Sequence, residues 1–266
     1  MGEPPIVFNF AIVGSGPELA HLNLQRLLAE RIQPDLVIIE FWPPFWCVNR
    51  EFKEFSHQTN VGLLSFGESQ LLKNYLEDPA PLYRTWATAQ FFPLVTNRLS
   101  ILDWFAPQWV LPPVAPSHYT EHLDGMGWWS PTISVQPQER LQLIDRYRKI
   151  YAPRLIDYRI ATMPDRALRN ILALCHRDKI RAVVVFLPEG TGFRTIYPPA
   201  TLAVIEDYLK RVGNDAQVPI VDARSWVSDD QFIDGHHLLP EGAESFTRRL
   251  GEEVVKPLLQ NSSVGL

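Results

Sequence analysis

The strongest constraint on this chain is an alternation: short apolar, β-branched runs are followed by segments with helical spacing. "PIVFNFAIVG" (5–14) has the length and the glycine boundary of a buried strand. "PELAHLNLQRLLAERI" (17–32) places Leu24, Leu27, Leu28 and Ile32 on one helical face, with Pro17 suited to a first turn. "PDLVIIEFW" (34–42) is a second strand. The order returns later as helix 165–179, with Asp165 as its expected cap, and strand "IRAVVVFLPEG" (180–190). Helix 199–213 follows with Leu202, Ile205, Leu209 and Val212, then strand "VPIVDARSWV" (218–227) and a closing helix 241–259. Such an order implies an α/β fold whose mostly parallel sheet is covered by helices on both faces.

Between these halves, about 47–157, the pattern lapses. That stretch predicts a helical or irregular insertion into a single domain spanning 1–266. It carries many of the eight Trp and 23 Pro residues. Trp42, Trp46, Trp128 and Trp129 are candidates for stacking on sugar rings, although core filling beneath the insertion is the commoner use of such residues.

Charge and cysteine usage remove whole classes. The formal net charge is −5 with no basic run, which leaves no electrostatic footprint for nucleic acid. Cys47 and Cys175 lack CxxC spacing, so neither a disulfide framework nor a zinc knuckle is expected. No stretch approaches the roughly 18 apolar residues of a membrane span, and the N-terminus lacks signal-peptide character. The expectation is a soluble chain, cytoplasmic by default or of the cell envelope if an upstream segment exists, of undetermined oligomeric state.

In a parallel sheet, ligands sit beyond the carboxyl ends of the strands. Four loops should therefore share a rim: 14–17 ("GSGP"), 40–46 ("EFWPPFW"), 187–192 ("LPEGTG") and 228–237 ("SDDQFIDGHH"). The last holds Asp234, His236 and His237. An Asp three residues before a His can orient the imidazole through Nδ1–H and leave Nε2 to move a proton. A solvated turn in which Asp234 caps backbone amides is the plain alternative. Adjacent histidines normally point apart and no third clustered ligand is evident, so no metal is expected.

The segment "VPIVDARSWVSDDQFIDGHHLLPEGAESFTRRL" resembles the C-terminal block of SGNH (GDSL-like) hydrolases: a strand, Asp-x-x-His, then a glycine-containing helix start. The resemblance covers roughly the first 45 and last 100 residues, and extends to a poorly characterised bacterial SGNH-like group with "VGSGP" and "PDLVIIEFWPPF". It implies a three-layer α/β/α, flavodoxin-like fold without a cofactor. It also implies an esterase or acyltransferase acting on an acyl ester, for instance an acetyl group on an envelope carbohydrate. Asp234 and His237 take the triad roles, and His236 is an unassigned neighbour at the substrate side.

Two alignments place the other half of the triad. In one, "IVGSGPELA" is the family's first block and Ser15 the nucleophile. In the other it is the second block, with Gly14 or Gly16 a backbone oxyanion donor and the serine block lying before Met1. The resemblance of "PDLVII" to the strand before the family's third block supports the second. That third block departs from Gly-x-Asn-Asp: Glu40 comes first, and Asn49 is the nearest asparagine. Glu189 in "LPEGTG" is a candidate substrate-binding group, a solvated turn being the commoner explanation. Ser15 is also placed to cap the 17–32 helix. The rival reading is a non-catalytic SGNH-like module that binds glycan or protein.

Overall fold

The computed structural model describes residues 6–12, 15–48, 61–76, 78–110, 124–128 and 135–260. The chain divides into two compact units. One comprises 1–15 with 52–132; the other comprises 16–51 with 133–266. No described helix is long and apolar enough to cross a membrane.

The second unit is mixed α/β. Its elements are α1 (Pro17–Ala29), β1 (Leu36–Phe41), α2 (Pro137–Tyr151), α3 (Thr162–Arg177), β2 (Arg181–Phe186), α4 (Pro199–Ala216), β3 (Ile220–Asp222) and α5 (Pro240–Leu250). The three strands form one parallel sheet in the order β1-β2-β3. Leu36 to Phe41 pair in register with Arg181 to Phe186, and Val184 to Phe186 pair with Ile220 to Asp222. β2 is central and reads "RAVVVF", because a strand paired on both edges between packed faces needs apolar side chains on each face.

Alternation along β2 separates two cores. Val184 and Phe186 join Ile39 and Phe41 of β1, Leu168, Ile171 and Leu172 of α3, and Ile205, Leu209 and Val212 of α4. Val183 and Val185 pack with Ala223 and Val254, and with Phe246 and Leu250 of α5. Leu168 is completely buried. Leu168→Ala is expected to lower unfolding free energy by about 2–5 kcal/mol, read from denaturant midpoints. After Leu250 the chain makes a π-helical turn, Gly251–Val255, before a last helical turn at Lys256–Gln260. Cys47 and Cys175 are buried, and neither is in a disulfide.

Several expectations change. Residues 6–12 are not a strand: Ile6, Val7, Phe8, Phe10 and Ile12 are exposed, and Asn9 N–H bonds the carbonyl of Met126 within the first unit. Apolar composition alone did not supply a sheet neighbour. The buried side of α1 runs through Leu19, Leu22 and Leu24, while Ile32 lies beyond the helix and is 55% exposed. Ser15 does not cap α1; Gly16 holds the N-cap position without a side-chain hydrogen bond. α3 begins at Thr162, so Asp165 sits in its first turn, where its carboxylate accepts from Arg169 and Tyr208. The expected strand 218–227 shortens to three residues, because the chain turns after Ala223, whose N–H still donates to the Phe186 carbonyl.

The first unit is helical where described, with helices Phe66–Lys73, Ala80–Phe91 and Arg98–Phe105. Ser65 and Glu68 form a reciprocal capping box at the first of these. Leu72 and Leu82 are fully buried, and the Trp86 indole donates to the Leu64 carbonyl at 2.9 Å. Not all of its tryptophans fill a core: Trp104 and Trp109 are 79% and 76% exposed. Trp128 is half-buried, and Trp129 lies outside the described residues.

Candidate active site

Three loops at the carboxyl ends of the strands are stitched together in the second unit. The first, after β1, carries Trp42. The second, after β2, carries Glu189 to Gly192; the third runs from β3 to α5. Glu189 N–H donates to the Arg224 carbonyl at 3.0 Å, Gly190 N–H to the Gly235 carbonyl at 2.8 Å, and Thr191 N–H to Asp229 Oδ1 at 2.6 Å. Three of the four rim loops thus converge as parallel-sheet topology requires. The fourth is split: Ser15 belongs to the first unit and the buried Gly16 to the second. Gly14 and Asn49 lie outside the described residues. Glu40 is on β1, where desolvation raises its carboxyl above the usual range.

The Asp-x-x-His segment is a closed turn. Ile233 N–H donates to the His237 carbonyl at 2.8 Å, and Leu239 N–H to the Gln231 carbonyl at 2.9 Å. Gly235 makes the reversal possible at φ +92°, a region costly for other residues. A Cβ there would also lie 3.1 Å from Phe193 Cβ. Gly235→Ala is expected to cost about 1–3 kcal/mol in thermal or denaturant unfolding. Gly242, at the start of α5, is constrained differently: a Cβ would meet the Gln231 carbonyl oxygen at 2.5 Å.

Asp234 organises this turn from a buried position, 2% exposed. Its Oδ1 accepts the backbone N–H groups of His236 at 3.1 Å and His237 at 2.9 Å. Its Oδ2 lies 2.7 Å from His237 Nδ1. The carboxylate thus bonds backbone amides with one oxygen, as the plain alternative expected although in a buried and not a solvated turn, and meets an imidazole with the other. Burial alone raises a carboxyl group's pKa, but the imidazoles of His236 and His237 outweigh it and hold Asp234 far below the usual range. The carboxylate is ionised, so His237 Nδ1 carries the proton and Nε2 is free to accept one. The His237 side chain is 54% exposed, which gives Nε2 access to a substrate.

The two histidines do not point apart. Their ring centroids are 4.0 Å from one another, and His236 Nδ1 lies 3.1 Å from Asp234 Oδ1, off the direction of a hydrogen bond. Donor atoms of Asp234, His236 and His237 fall within 4.8 Å, close enough to hold a metal.

His236 is enclosed by aromatic rings. Trp42 stacks on it at 5.0 Å with planes 8° apart; Tyr147, Tyr151 and Phe193 close the sides at 4.8, 5.5 and 5.0 Å. Burial lowers its pKa, against the opposing pull of Asp234, and among the described residues neither buried nitrogen has a well-directed hydrogen-bond partner.

Glu189 is fully buried and not in a solvated turn. Its Oε1 accepts from Trp42 Nε1 at 3.1 Å and from the Tyr197 hydroxyl at 2.5 Å. Burial pushes this carboxyl up to about 7, against the opposing pull of Tyr197, Arg224, Trp42 and Arg194.

Tyr147, Tyr151 and Tyr197 were not singled out from sequence. "DRYRKIY" does place Tyr147 and Tyr151 four apart on one helical face, which marks a common contact but not its partner. Beside the turn, α2 and the loops enclose an open groove of about 520 Å³, lined by Arg140, Ile144, Arg148, Gly190, Gly192 and Gly235 among others. Comparison with protein-family models and with curated proteins found no match.

Proposed function

We propose that this chain carries an SGNH-like serine esterase or acyltransferase site, set on a three-layer α/β/α, flavodoxin-like scaffold and acting on an acyl ester. The single observation that carries this reading is the Asp234 Oδ2···His237 Nδ1 contact of 2.7 Å, on a turn beyond the sheet, with a half-exposed imidazole. His237 is the general base that takes a hydroxyl proton through Nε2 and returns it to the leaving alcohol. Asp234 holds the tautomer and compensates the imidazolium that forms. The nucleophile such a site requires is a serine, for which Ser15 is the candidate in this sequence. The groove beside Gly190 and Gly235 accommodates a small or carbohydrate ester.

A serine-reactive fluorophosphonate probe tests this. The protein is expected to label, His237→Ala to abolish labelling, and Ser15→Ala to show whether Ser15 is the residue labelled. Labelling is expected to be unchanged by a chelator. Ester turnover lost to chelation and restored by zinc would instead assign Asp234, His236 and His237 to a metal. The second reading, a non-catalytic glycan- or protein-binding module, is favoured by the exposed tryptophans Trp104 and Trp109. Glycan binding without any labelling would select it.

A further inference from the structure

We propose that Glu189 is a positioning residue of the candidate active site: through the Trp42 indole it sets the surface on which His236 lies, and thereby the turn that holds Asp234 against His237. The proposal rests on reading Asp234 and His237 as the proton-transfer pair. It adds a buried acid that no SGNH resemblance assigned a positioning role.

The chain of contacts is continuous. Trp42 Nε1 donates to Glu189 Oε1, which fixes the rotation of the indole about its side-chain bonds. The indole face lies nearly parallel to His236, 8° apart. Edge contacts from Phe45 and Tyr151, both with centroids at 4.8 Å, hold the indole's other sides. Among the described residues, His236 has only the off-direction Nδ1 contact with Asp234 Oδ1 at 3.1 Å, so the stacked indole is a main constraint on its ring plane. Its backbone N–H and that of His237 both converge on Asp234 Oδ1, so a displaced His236 disturbs the same carboxylate that meets His237.

Glu189 itself is placed by its backbone bond to Arg224 and by Tyr197. Its second oxygen, Oε2, is buried with no partner among the described residues. An unpartnered carboxylate oxygen is far costlier there than a neutral hydroxyl. The carboxyl therefore holds its proton until about neutrality, with Tyr197, Arg194 and Arg224 as the ionisable groups facing it. Tyr197 stays protonated throughout, since burial pushes its hydroxyl far up. Above neutrality the charged carboxylate becomes the stronger acceptor for the Trp42 N–H.

Nitrogen-15 NMR of the intact chain tests this without requiring turnover. The Trp42 indole signal, assigned by its absence in Trp42→Phe, is expected to move downfield with a midpoint of about 7. Glu189→Gln keeps an oxygen acceptor and should retain the fold and the His237 imidazole pattern while abolishing that titration. Glu189→Leu and Trp42→Phe remove the acceptor and the donor respectively. Each should convert the His237 ring from one tautomer to a mixture and slow fluorophosphonate labelling on the order of 10- to 100-fold. Should Glu189→Leu fail to fold, Trp42→Phe carries the same comparison, because it keeps a ring on His236. A Trp42 signal indifferent to pH and to Glu189→Gln overturns the proposal. So does an unchanged His237 pattern in folded Trp42→Phe. Absence of labelling in a wild-type protein that shows the titration would overturn the esterase reading alone.

Discussion

Asp234→Asn is expected to leave the fold intact and to reduce fluorophosphonate labelling or ester turnover by on the order of 10³- to 10⁴-fold. The asparagine carbonyl can stand where Oδ1 stands and still accept from the backbone N–H groups of His236 and His237. Its amide nitrogen then replaces Oδ2 and presents hydrogens to His237 Nδ1. The imidazole must give up its Nδ1 proton and carry it on Nε2, where the base function is needed. Asp234→Ala is a different lesion: it strips an acceptor from two amides and an imidazole in a buried position, and should cost about 2–4 kcal/mol of stability. The pair separates orientation from folding. Full labelling by a well-folded Asp234→Asn variant would end the proton-transfer reading of this turn.

The same carboxylate sets an acid limb. Its folded value is depressed, so its stabilisation is present above the ordinary aspartate value near 4 and is lost as pH falls toward the lower folded value. Asp234→Asn should flatten that limb in acid-unfolding curves.

Glu189→Gln is expected to remove a stability change of the opposite sign. The folded Glu189 retains its proton up to about 7, whereas the unfolded carboxyl ionises near 4.3. Stability from this group is fully present below the unfolded value and is lost as pH rises through the folded one. The loss is on the order of 3 kcal/mol between pH 4 and 8. His236 works against it: its depressed value means that the unfolded chain binds a proton the folded chain refuses, so its stabilisation is present above the ordinary imidazole value and is lost as pH falls below that toward the lower folded value. The wild-type profile is a sum of the two. Only the difference between wild type and Glu189→Gln, from urea midpoints at pH 5 and pH 8, isolates the carboxyl. A difference that does not change between those two values would mean that Glu189 is ionised in the folded state well below neutrality.

How far the sequence reached can be followed element by element. "PDLVIIEFW", "IRAVVVFLPEG" and the helix 199–213 announced themselves, because a buried parallel strand and an amphipathic helix each need a side-chain pattern that no solvated segment requires. Asp-x-x-His was equally legible, since a three-residue offset across a glycine turn brings a carboxylate onto an imidazole through local geometry alone. The strand expected at 5–14 failed for the complementary reason: β-branched residues permit extension, but only a neighbour with free N–H and C=O groups makes a strand.

The surroundings of the turn belonged to tertiary structure. Glu189 reads as polar loop in "LPEGTG", and nothing local reveals that it is wholly buried beneath Trp42, 147 residues away, and Tyr197. Burial, not sequence neighbours, raises its pKa. Likewise His236 and His237 are indistinguishable as letters; packing against Trp42, Tyr147, Tyr151 and Phe193 buries one ring and leaves the other half-exposed. The sequence by itself determined which residues could do proton chemistry and at which end of the sheet, because those follow from side-chain type, spacing and strand direction. Which histidine reaches solvent and which acid keeps its proton were decided only by the fold, because desolvation depends on neighbours that the chain brings from far apart.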